Sequence, residues 1–455
     1  RTLERLSTGF KINRASDGPA SLVISERLKS QVASLKQAVD TTERAHDMVS
    51  TADAALTEIN ALLVSIQDLI IESANDGALS QEEVLANQFQ VDSAVETINR
   101  IAQTTSFAGL NLLNGNFDYV VSGFDYTTIS DHSIYGAQIT NGVSQIAVNI
   151  KVTSNAQRGI VSVATANVGS RNNSGLSLLV SGNKGSELIV LGPEASSLDI
   201  TSAVHALVYA TGVDATISGA NLVFRSVDYG SDQFVSVRDV TRQNIGNELL
   251  DSRDYGKDVD ALINGIAAAA RGLKISTNTF QLNASFTLSA DFFTDNNTGS
   301  GTSAVSTLII TSGGATFQLG DDSNIRDQEF IGIQRITADN LGDGSLGFLN
   351  QIMTGQDYQL LSNPEHAHKI VDAAIDDISN LRARLGAFAA HTLETNVTSL
   401  HTAILSLENS LSRIIDTDFA SETAQFTRNQ ILVQASTSIL AQANTTAQSV
   451  LQLLQ

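Results

Sequence analysis

Apolar residues in the C-terminal part of the chain recur at alternating spacings of three and four residues. From Asn363 to Gln455 this spacing predicts a long amphipathic helix that buries one narrow stripe of side chains. Pro364 suits the first turn of such a helix, and we expect a break near Asp416–Asp418 before a last helix from Phe419. The stripe is formed by Leu381, Leu385, Phe388, Val397, Leu400, Ile404, Leu407, Leu411 and Ile414.

A matching stripe lies in the N-terminal part, where a helix is predicted from about Ala20 to Asn75. Its main positions are seven residues apart, namely Leu28, Leu35, Thr42, Val49, Leu56, Leu63 and Ile70. Companion positions follow them at Val32, Val39, Ala45, Ala52, Ile59 and Ile66, with the offset changing from four residues to three near His46. Because each stripe needs a partner, the simplest arrangement pairs the two ends of the chain.

A β-rich texture separates these helical ends. After Gly115 the content of Ser, Thr, Gly and Asn rises, and apolar and polar residues alternate as in half-buried strands. We expect a short helix from Leu198 to Ala210 and, because of an alanine-rich run, another from Asp258 to Leu273. Thr307–Thr311 and Ala315–Gly320 are expected to form a hairpin. Further predicted strands are Gln145–Ile150, Glu187–Leu191, Asn221–Ser226 and Gln233–Val237.

The order of elements defines the fold class. Ser80 and Glu83 have the capping-box pattern, which predicts the start of a second helix that extends to about Thr104. Helices therefore come first and last, and strands lie between them. We predict an α+β fold, in which a long antiparallel α-helical coiled-coil rod is formed by the N- and C-terminal segments and carries a β-rich central insertion.

Composition restricts the possible partners. The formal net charge of −21 is expected to repel nucleic acid and anionic membranes, so neither is predicted as a partner. The chain has no Cys, which excludes disulfides, thiolate ligands and a thiol nucleophile. The apolar runs are too short for a bilayer span, and no secretory signal is recognisable. Because Arg1 already lies in a predicted helix, we expect the natural chain to begin upstream.

Candidate chemistry is sparse, so we expect no enzyme activity, no cofactor and no metal. His366 and His368 are two residues apart and would not share a helix face, which favours a solvated helix start over a metal site. Asp291–Gly299 and Gly320–Asp322 do not match the calcium-loop pattern, which favours turns. The stripes alone fit intramolecular packing as well as a polymer that grows by repeated head-to-tail contacts.

Two blocks at the ends of the chain carry family motifs. The N-terminal block contains Glu4–Asn13 (ERLSTGFKIN), Ala55–Asn60 and Phe107–Gly115. The C-terminal block contains Arg384–Ala387, Ile415–Ala424, Thr427–Arg428, Gln430–Leu432, Gln434–Ala435 and Ile439–Asn444. Both blocks resemble bacterial flagellin, the filament subunit of the flagellum. The resemblance is specific because the two blocks match in order and at the correct ends.

The resemblance implies a structural subunit that polymerises into the flagellar filament and so serves swimming motility. It implies an extracellular location, reached by export of the unfolded chain through the flagellar channel. The implied partners are other flagellin subunits, an export chaperone, the filament cap and hook-associated proteins. A hook–filament junction protein and a surface adhesin with flagellin-like ends are the alternatives, and the Gln442–Asn444 ending favours flagellin.

The resemblance also implies a division of the chain. Residues 1–16 and 415–455 would form the two parts of an inner coiled-coil domain, of which the N-terminal part is truncated. Residues 17–145, with a β segment, and 305–414 would form a helical wall domain. Residues 146–304 would form a variable outer β-rich insertion of one or two subdomains. Polymerisation is expected to depend on Leu6, Ile431, Leu432, Ala435, Ile439, Leu440, Val450, Leu451 and Leu454.

Flagellins further resemble one another at the site read by a Toll-like innate receptor. The family pattern there has basic residues flanking an apolar residue, followed by an acidic residue and Leu. Ile66, Asp68 and Leu69 keep part of this pattern, but Ser65 and Gln67 stand in place of the basic residues. Thr97 stands where an acidic residue is expected on the second helix. The resemblance therefore predicts weak receptor activation, because charged anchors are missing.

Overall fold

The computed structural model has the predicted α+β fold, with helices at both ends and strands between them. It describes residues 1–75, 79–125, 127–138, 145–164, 176–192, 195–240, 251–279, 281–290, 292, 304–322, 324–344 and 346–453. The chain divides into two compact units. Unit 1 comprises Arg1–Ser50, Phe317–Glu329 and Leu385–Gln455, and unit 2 comprises Thr51–Thr316 and Phe330–Arg384.

The helices follow the hydrophobic pattern closely. They are α1 (Thr2–Thr8), α2 (Pro19–Ser73), α3 (Gln81–Thr104), α4 (Ser197–Ala206), α5 (Val208–Thr211), α6 (Pro364–Ala387), α7 (Glu394–Ile415) and α8 (Phe419–Leu453). A π-helical turn, Phe388–Leu393, joins α6 to α7. The break predicted near Asp416–Asp418 is confirmed. The helix predicted from about Ala20 to Asn75 is α2, which ends at Ser73.

The stripe predicted along α2 is its buried face. Six of the seven heptad positions, from Leu35 to Ile70, are buried, and Leu28 is half-buried. In unit 1 this stripe packs against α7, where Leu400 and Ile404 join the core with Val32, Leu35, Ala38 and Val39. Lys36 Nζ and Glu408 Oε1 form an ion pair of 2.8 Å at the edge of that core. The two ends of the chain therefore do pair with each other, as the narrow stripes require.

Helices α3 and α6 complete the helical part of unit 2. The predicted capping box at Ser80 is formed, because Ser80 N donates to Glu83 Oε2 at 2.7 Å and Glu83 N donates to Ser80 Oγ at 3.3 Å. The second half of α2 is linked to α6 by Arg382, whose Nε donates to Asp53 Oδ1 at 2.9 Å. Gln88 on α3 is buried and its amide bonds the backbone of Ile352 and Leu360.

Strands of unit 2 form two antiparallel sandwiches. The first consists of a five-stranded sheet in the order β14-β13-β5-β18-β3 and a four-stranded sheet in the order β15-β16-β17-β4. Its core contains the fully buried Ile129, Phe286 and Phe292. Its strands are β3 (Val120–Ser122), β4 (Ile129–Ala137), β5 (Ile146–Ser154), β13 (Asp260–Ile263), β14 (Ile266–Ala267), β15 (Ala269–Arg271), β16 (Lys274–Asn278), β17 (Leu282–Leu288) and β18 (Ala304–Ser312).

The second sandwich lies between β5 and β13 in the sequence. Its sheets have the orders β6-β10-β9 and β12-β11-β7-β8, and α4 covers its core with Ile200 and Val204. Phe224 at the centre is fully buried. The strands are β6 (Ile160–Ala164), β7 (Leu176–Gly182), β8 (Ser186–Leu191), β9 (Val213–Ser218), β10 (Asn221–Ser226), β11 (Phe234–Asp239) and β12 (Asp251–Tyr255). The helix predicted over Leu198–Ala210 corresponds to α4 and α5.

Six short strands complete the fold as two-stranded sheets. They are β1 (Ser106–Phe107) with β2 (Leu110–Asn111), β19 (Ala315–Gln318) with β20 (Gln328–Ile331), and β21 (Gly342–Asp343) with β22 (Gly347–Phe348). The hairpin predicted between β18 and β19 is wrong, since β18 pairs with β5 and β3 instead. Gly313 and Gly314, with φ of 112° and 77°, turn the chain tightly against Asp118 and Tyr119, where no Cβ would fit.

The helix predicted over Asp258–Leu273 is also wrong. This segment forms β13, β14 and β15. Asn264 and Gly265 have φ of 52° and 82° and make the tight turn between β13 and β14. The Asn-Gly pair in the sequence signals such a hairpin. The helix was predicted from the helix propensity of the alanine run, which does not decide the structure of this segment. Pairing of β13 with β5 is a long-range contact that outweighs that propensity.

The chain crosses between the two sandwiches at two adjacent segments. Gln157 N donates to Lys257 O at 2.8 Å, and Lys257 N donates to Gln157 O at 2.9 Å. Asp258 Oδ1 accepts from Ser231 N at 2.9 Å and from Gly272 N at 2.7 Å. These bonds join backbone from both sandwiches, so the junction is a hydrogen-bonded crossing rather than a free linker.

Gly256 at this crossing leaves no room for a side chain. A Cβ there would lie 2.5 Å from Gln157 O and still closer to Gly230 O. We expect Gly256→Ala to destabilise unit 2 by about 1–3 kcal/mol, because rigid backbone must move to admit the methyl group. Gly192→Ala is the control, since its Cβ would meet nothing within 4 Å. Urea unfolding of the two variants tests this, and equal stabilities would contradict it.

Candidate assembly surface

The first and last helices of unit 1 are held together next to the break between α7 and α8. Lys11 N donates to Ile415 O at 2.6 Å, and Thr417 N donates to Gly9 O at 2.9 Å. Gly9, with φ of 77°, ends α1 in the left-handed conformation that such a helix end requires. An Arg5–Glu422 ion pair of 3.8 Å lies beside these bonds, and the Glu422 side chain is only 7% exposed. The start of α8 is thus anchored.

Beyond this anchor α8 has no buried face as far as Thr446, the last residue of this helix whose side chain the structure describes. Every residue from Thr427 to Thr446 is exposed. Five large apolar side chains in this stretch have between 56% and 69% of their surface exposed, namely Ile431, Leu432, Val433, Ile439 and Leu440. A helix that exposes this much apolar surface to water is expected to pack against a partner. Burying each such side chain would contribute roughly 1.5–3 kcal/mol.

The predicted polymerisation residues fall into three groups in the structure. Leu6 on α1 is half-buried, whereas Ile431, Leu432, Ala435, Ile439 and Leu440 are exposed on α8. For Val450 and Leu451 the structure describes the helical backbone alone. Leu454 lies outside the described residues. The five exposed positions share one helix and one environment, which is what an intermolecular contact surface needs.

The receptor-like region lies on α2 and α3 within unit 2. Ser65 and Asp68 are exposed and Leu69 is half-buried, but Ile66 is fully buried in the α2 stripe. Gln67 Nε2 donates to Asp372 Oδ1 of α6 at 2.6 Å, and the Thr97 hydroxyl donates to Ser93 O at 2.8 Å. Ile66 is therefore not available on the surface as an apolar contact, and the hydrophobic periodicity that buries it was already visible in the sequence.

The histidine pair has structural contacts. His366 Nε2 lies 2.6 Å from Leu346 O, and its ring stacks on Tyr358 at 3.9 Å between centroids. His368 pairs with Asp372 at 3.4 Å. The acidic segment Gly320–Asp322 brings Asp321 and Asp322 close to Asp327 in unit 1, with carboxylate oxygens within 4.8 Å of one another. The first two are exposed, and exposed acidic turns commonly have this arrangement without an ion.

Comparison with known proteins identifies the family. Residues 1–118 match the model of the bacterial flagellin N-terminal helical region, and residues 368–454 match that of the C-terminal helical region. Flagellin D of Vibrio anguillarum is 28% identical over 456 residues, covering 100% of this chain and 93% of that protein. Flagellin C of Vibrio cholerae serotype O1 is 30% identical over 457 residues, with the same two coverages. The chain belongs to the bacterial flagellin family.

Flagellin is a structural protein family, which fits the expectation from the sequence that the chain is not an enzyme. The matched N-terminal region contains α1, α2 and α3, and the matched C-terminal region contains α7, α8 and most of α6. A flagellar hook-associated protein of Legionella pneumophila is similar over 86% of this chain and 98% of its own, with 10% identity and a TM-score of 0.32. Similarity at that level does not define the fold.

Helix α2 of this flagellin is long and apolar enough to cross a membrane by length and composition, the one such helix among the described residues. This differs from the expectation that no apolar run is long enough. Its apolar positions form the periodic stripe that packs on the other helices of units 1 and 2, and charged residues such as Lys36 and Asp53 alternate with them. The buried stripe accounts for part of the apolar content of α2, whose most apolar stretch is 28% buried.

Proposed function

We propose that this chain is a structural subunit that polymerises into the bacterial flagellar filament and thereby serves swimming motility. The observation that carries the proposal is the row of exposed apolar side chains along α8 in a chain of the flagellin family. Long helices are marginally stable in water unless an apolar face is packed. Packing of α8 against equivalent helices of other subunits supplies that face.

The geometry of growth follows from where this surface lies. The surface is carried by one terminal helix, so a contact between copies need not be symmetric. Repeated contacts of one kind that do not close into a ring generate a helical filament. The polymerisation surface comprises Leu6, Ile431, Leu432, Ala435, Ile439 and Leu440, and extends to Val450, Leu451 and Leu454 by the same periodicity.

The location and partners follow from the same role. The filament lies outside the cell, and the subunit reaches it through the flagellar export channel. An export chaperone holds the C-terminal segment before assembly, because the apolar side chains of α8 would otherwise associate prematurely. The filament cap and hook-associated proteins contact the growing polymer at its ends. The predicted inner, wall and outer segments describe the arrangement within the polymer.

Seeded assembly tests the proposal. Purified monomer is mixed with filament fragments and examined by negative-stain electron microscopy. Long helical filaments are the expected result. Monomers that fail to extend the seeds would instead indicate a hook–filament junction protein.

A surface adhesin is the second candidate. Its only support is that the two sandwiches are folded β structures, which a polymer subunit would display. A carbohydrate array probed with the full chain is read together with the seeded assembly, and binding to surface glycans by a chain that does not extend the seeds would favour the adhesin.

Receptor activation is expected to be weak. Ser65 and Gln67 carry no positive charge, and Gln67 is already bonded to Asp372. Ser65→Arg is expected to raise signalling in a receptor reporter-cell assay. Because Ser65 is exposed, the new arginine would add a charged anchor without breaking an existing bond. Strong signalling by the wild-type chain at low concentration would overturn this prediction.

A further inference from the structure

A polar cleft lies in unit 2 between α6 and the first sandwich. Its volume is about 540 Å³, and its walls come from β4, β16, the crossing between the sandwiches and one face of α6. Such a volume accommodates a ligand of the size of a mono- or disaccharide. Arg384, the first residue of the family motif Arg384–Ala387, lines this cleft, whereas the assembly surface does not contribute to it.

Two half-buried arginines in the cleft wall have aromatic contacts but no acceptor for Nε. Arg158 stacks over Tyr229 at 4.4 Å, and Arg384 of α6 stacks over Tyr135 at 3.9 Å. The Nε of each is buried without a hydrogen-bond acceptor. Among the described residues neither side chain has an ion pair, whereas Arg271 nearby is bound to Asp232 at 2.8 Å.

This arrangement is costly unless something compensates it. Burial lowers the pKa of Arg384 to about 10, which reflects the penalty on its charge. A cation–π contact offsets only part of the cost of holding a guanidinium away from water without an acceptor. Both residues nevertheless line the cleft and stay partly exposed, so an oxyanion can still reach them.

Acidic side chains also line the cleft. The charges of Asp131 and Asp343 raise the pKa of Asp377, and Lys274 is the neighbouring cation. Arg384 instead interacts with Tyr135 and Asp118. The cleft therefore presents both cations and carboxylates, so a fitting ligand carries an anionic group and hydroxyl donors.

We propose that this cleft binds a small ligand through its carboxylate or phosphate group, which Arg158 and Arg384 hold by charge-assisted hydrogen bonds. An acidic sugar has both features, since its hydroxyl groups would donate to the aspartates. Arginine suits this task because its planar fork matches an oxyanion and tyrosine stacking fixes its orientation. The site does not depend on filament assembly and is present in the monomer.

Calorimetric titration of the monomeric full chain tests the proposal with three probes: glucuronate, inorganic phosphate and glucose. Saturable binding of glucuronate or phosphate is expected, and glucose is expected not to bind. Tighter binding of glucuronate assigns an acidic sugar, and tighter binding of phosphate assigns a free phosphate or phosphate ester. Absence of saturable binding of both anions up to about 20 mM would refute the site, because that limit excludes even millimolar affinity.

Substitutions locate the site. Arg158→Gln and Arg384→Gln are each expected to weaken anion binding about tenfold or more, by removal of charge-assisted bonds. Arg253→Gln is the matched control, because Arg253 also stacks on aromatic rings, at 4.1 Å from Phe234, but is exposed and outside the cleft. If Arg384→Gln fails to fold, Arg158→Gln decides. Wild-type affinity in a folded Arg158→Gln variant would mean that the arginines have only a structural role.

Discussion

Leu440→Asp is expected to abolish seeded filament growth while unit 2 stays folded. The Leu440 side chain is 64% exposed on α8, so the monomer loses little when it is replaced. In the polymer the same position would bury a carboxylate among apolar side chains. An unpaired buried charge costs several kcal/mol, and the loss repeats at every subunit added. Sedimentation of seeded mixtures and electron microscopy measure the effect.

Gln434→Asp is the control for this experiment. It adds the same charge to the same helix, but at 100° per residue Gln434 lies on the side away from Leu432 and Leu440. We expect it to assemble, with growth slowed by no more than a surface charge would cause. Circular dichroism and urea unfolding establish that both variants are folded. Normal filaments from Leu440→Asp would show that α8 is not the polymerisation surface.

Hydrophobic periodicity predicted the helical ends well because it reports local physics. The stripe from Leu35 to Ile70 is buried, the capping box at Ser80 is formed and the break before Phe419 is present. Each of these depends on residues within a few positions of one another. The pairing of the two ends followed because a narrow apolar stripe has few ways to be buried.

Strand pairing in the middle was not predictable in the same way. The alanine run near Ala267 has high helix propensity, but its segment pairs with β5 more than a hundred positions earlier. Likewise β18 pairs with β5 and β3 instead of its neighbour β19. Local signals identify strands but not partners, since the energy of a sheet comes from contacts between distant segments.

The candidate sites show the same division. Ile431 and Leu440 are exposed because they lie on a terminal helix, and no second apolar stripe among the described residues covers them. The cleft arginines could not be found in the sequence, because Arg158 and Arg384 are 226 positions apart by their numbers and meet only through the fold. The same holds for Asp377, whose acidic neighbour Asp131 belongs to another element.

The stability of unit 2 is expected to fall as the pH rises from about 4 to 7, because of Asp377. Burial raises the pKa of this carboxyl to about 7 from an ordinary value of 3.8, and the charges of Asp131 and Asp343 act in the same direction. Gly342 N, which donates to Asp377 Oδ2 at 3.1 Å, and Lys274 oppose the shift without cancelling it.

The sign follows from proton binding. Between these two pH values the folded state keeps the Asp377 proton and the unfolded state has lost it. Stability therefore decreases with pH across that window and is constant, for this group, above about 7. At about 1.36 kcal/mol per unit the full difference is on the order of 4 kcal/mol. Asp377→Asn removes the ionisation but keeps an oxygen that can accept from Gly342 N.

Urea unfolding at pH 5 and pH 8.5 is the measurement. Asp377→Asn is expected to exceed the wild type by roughly 1–2 kcal/mol at pH 5 and by roughly 4 kcal/mol at pH 8.5. Asp376→Asn is the control, since Asp376 is the adjacent residue of α6 but is exposed. Hydrogen exchange of the Gly342 amide reports the same equilibrium locally, because its acceptor is the titrating group. If both variants have the same pH dependence as the wild type, Asp377 is ionised in the folded protein, and the cleft wall is more strongly acidic at neutral pH.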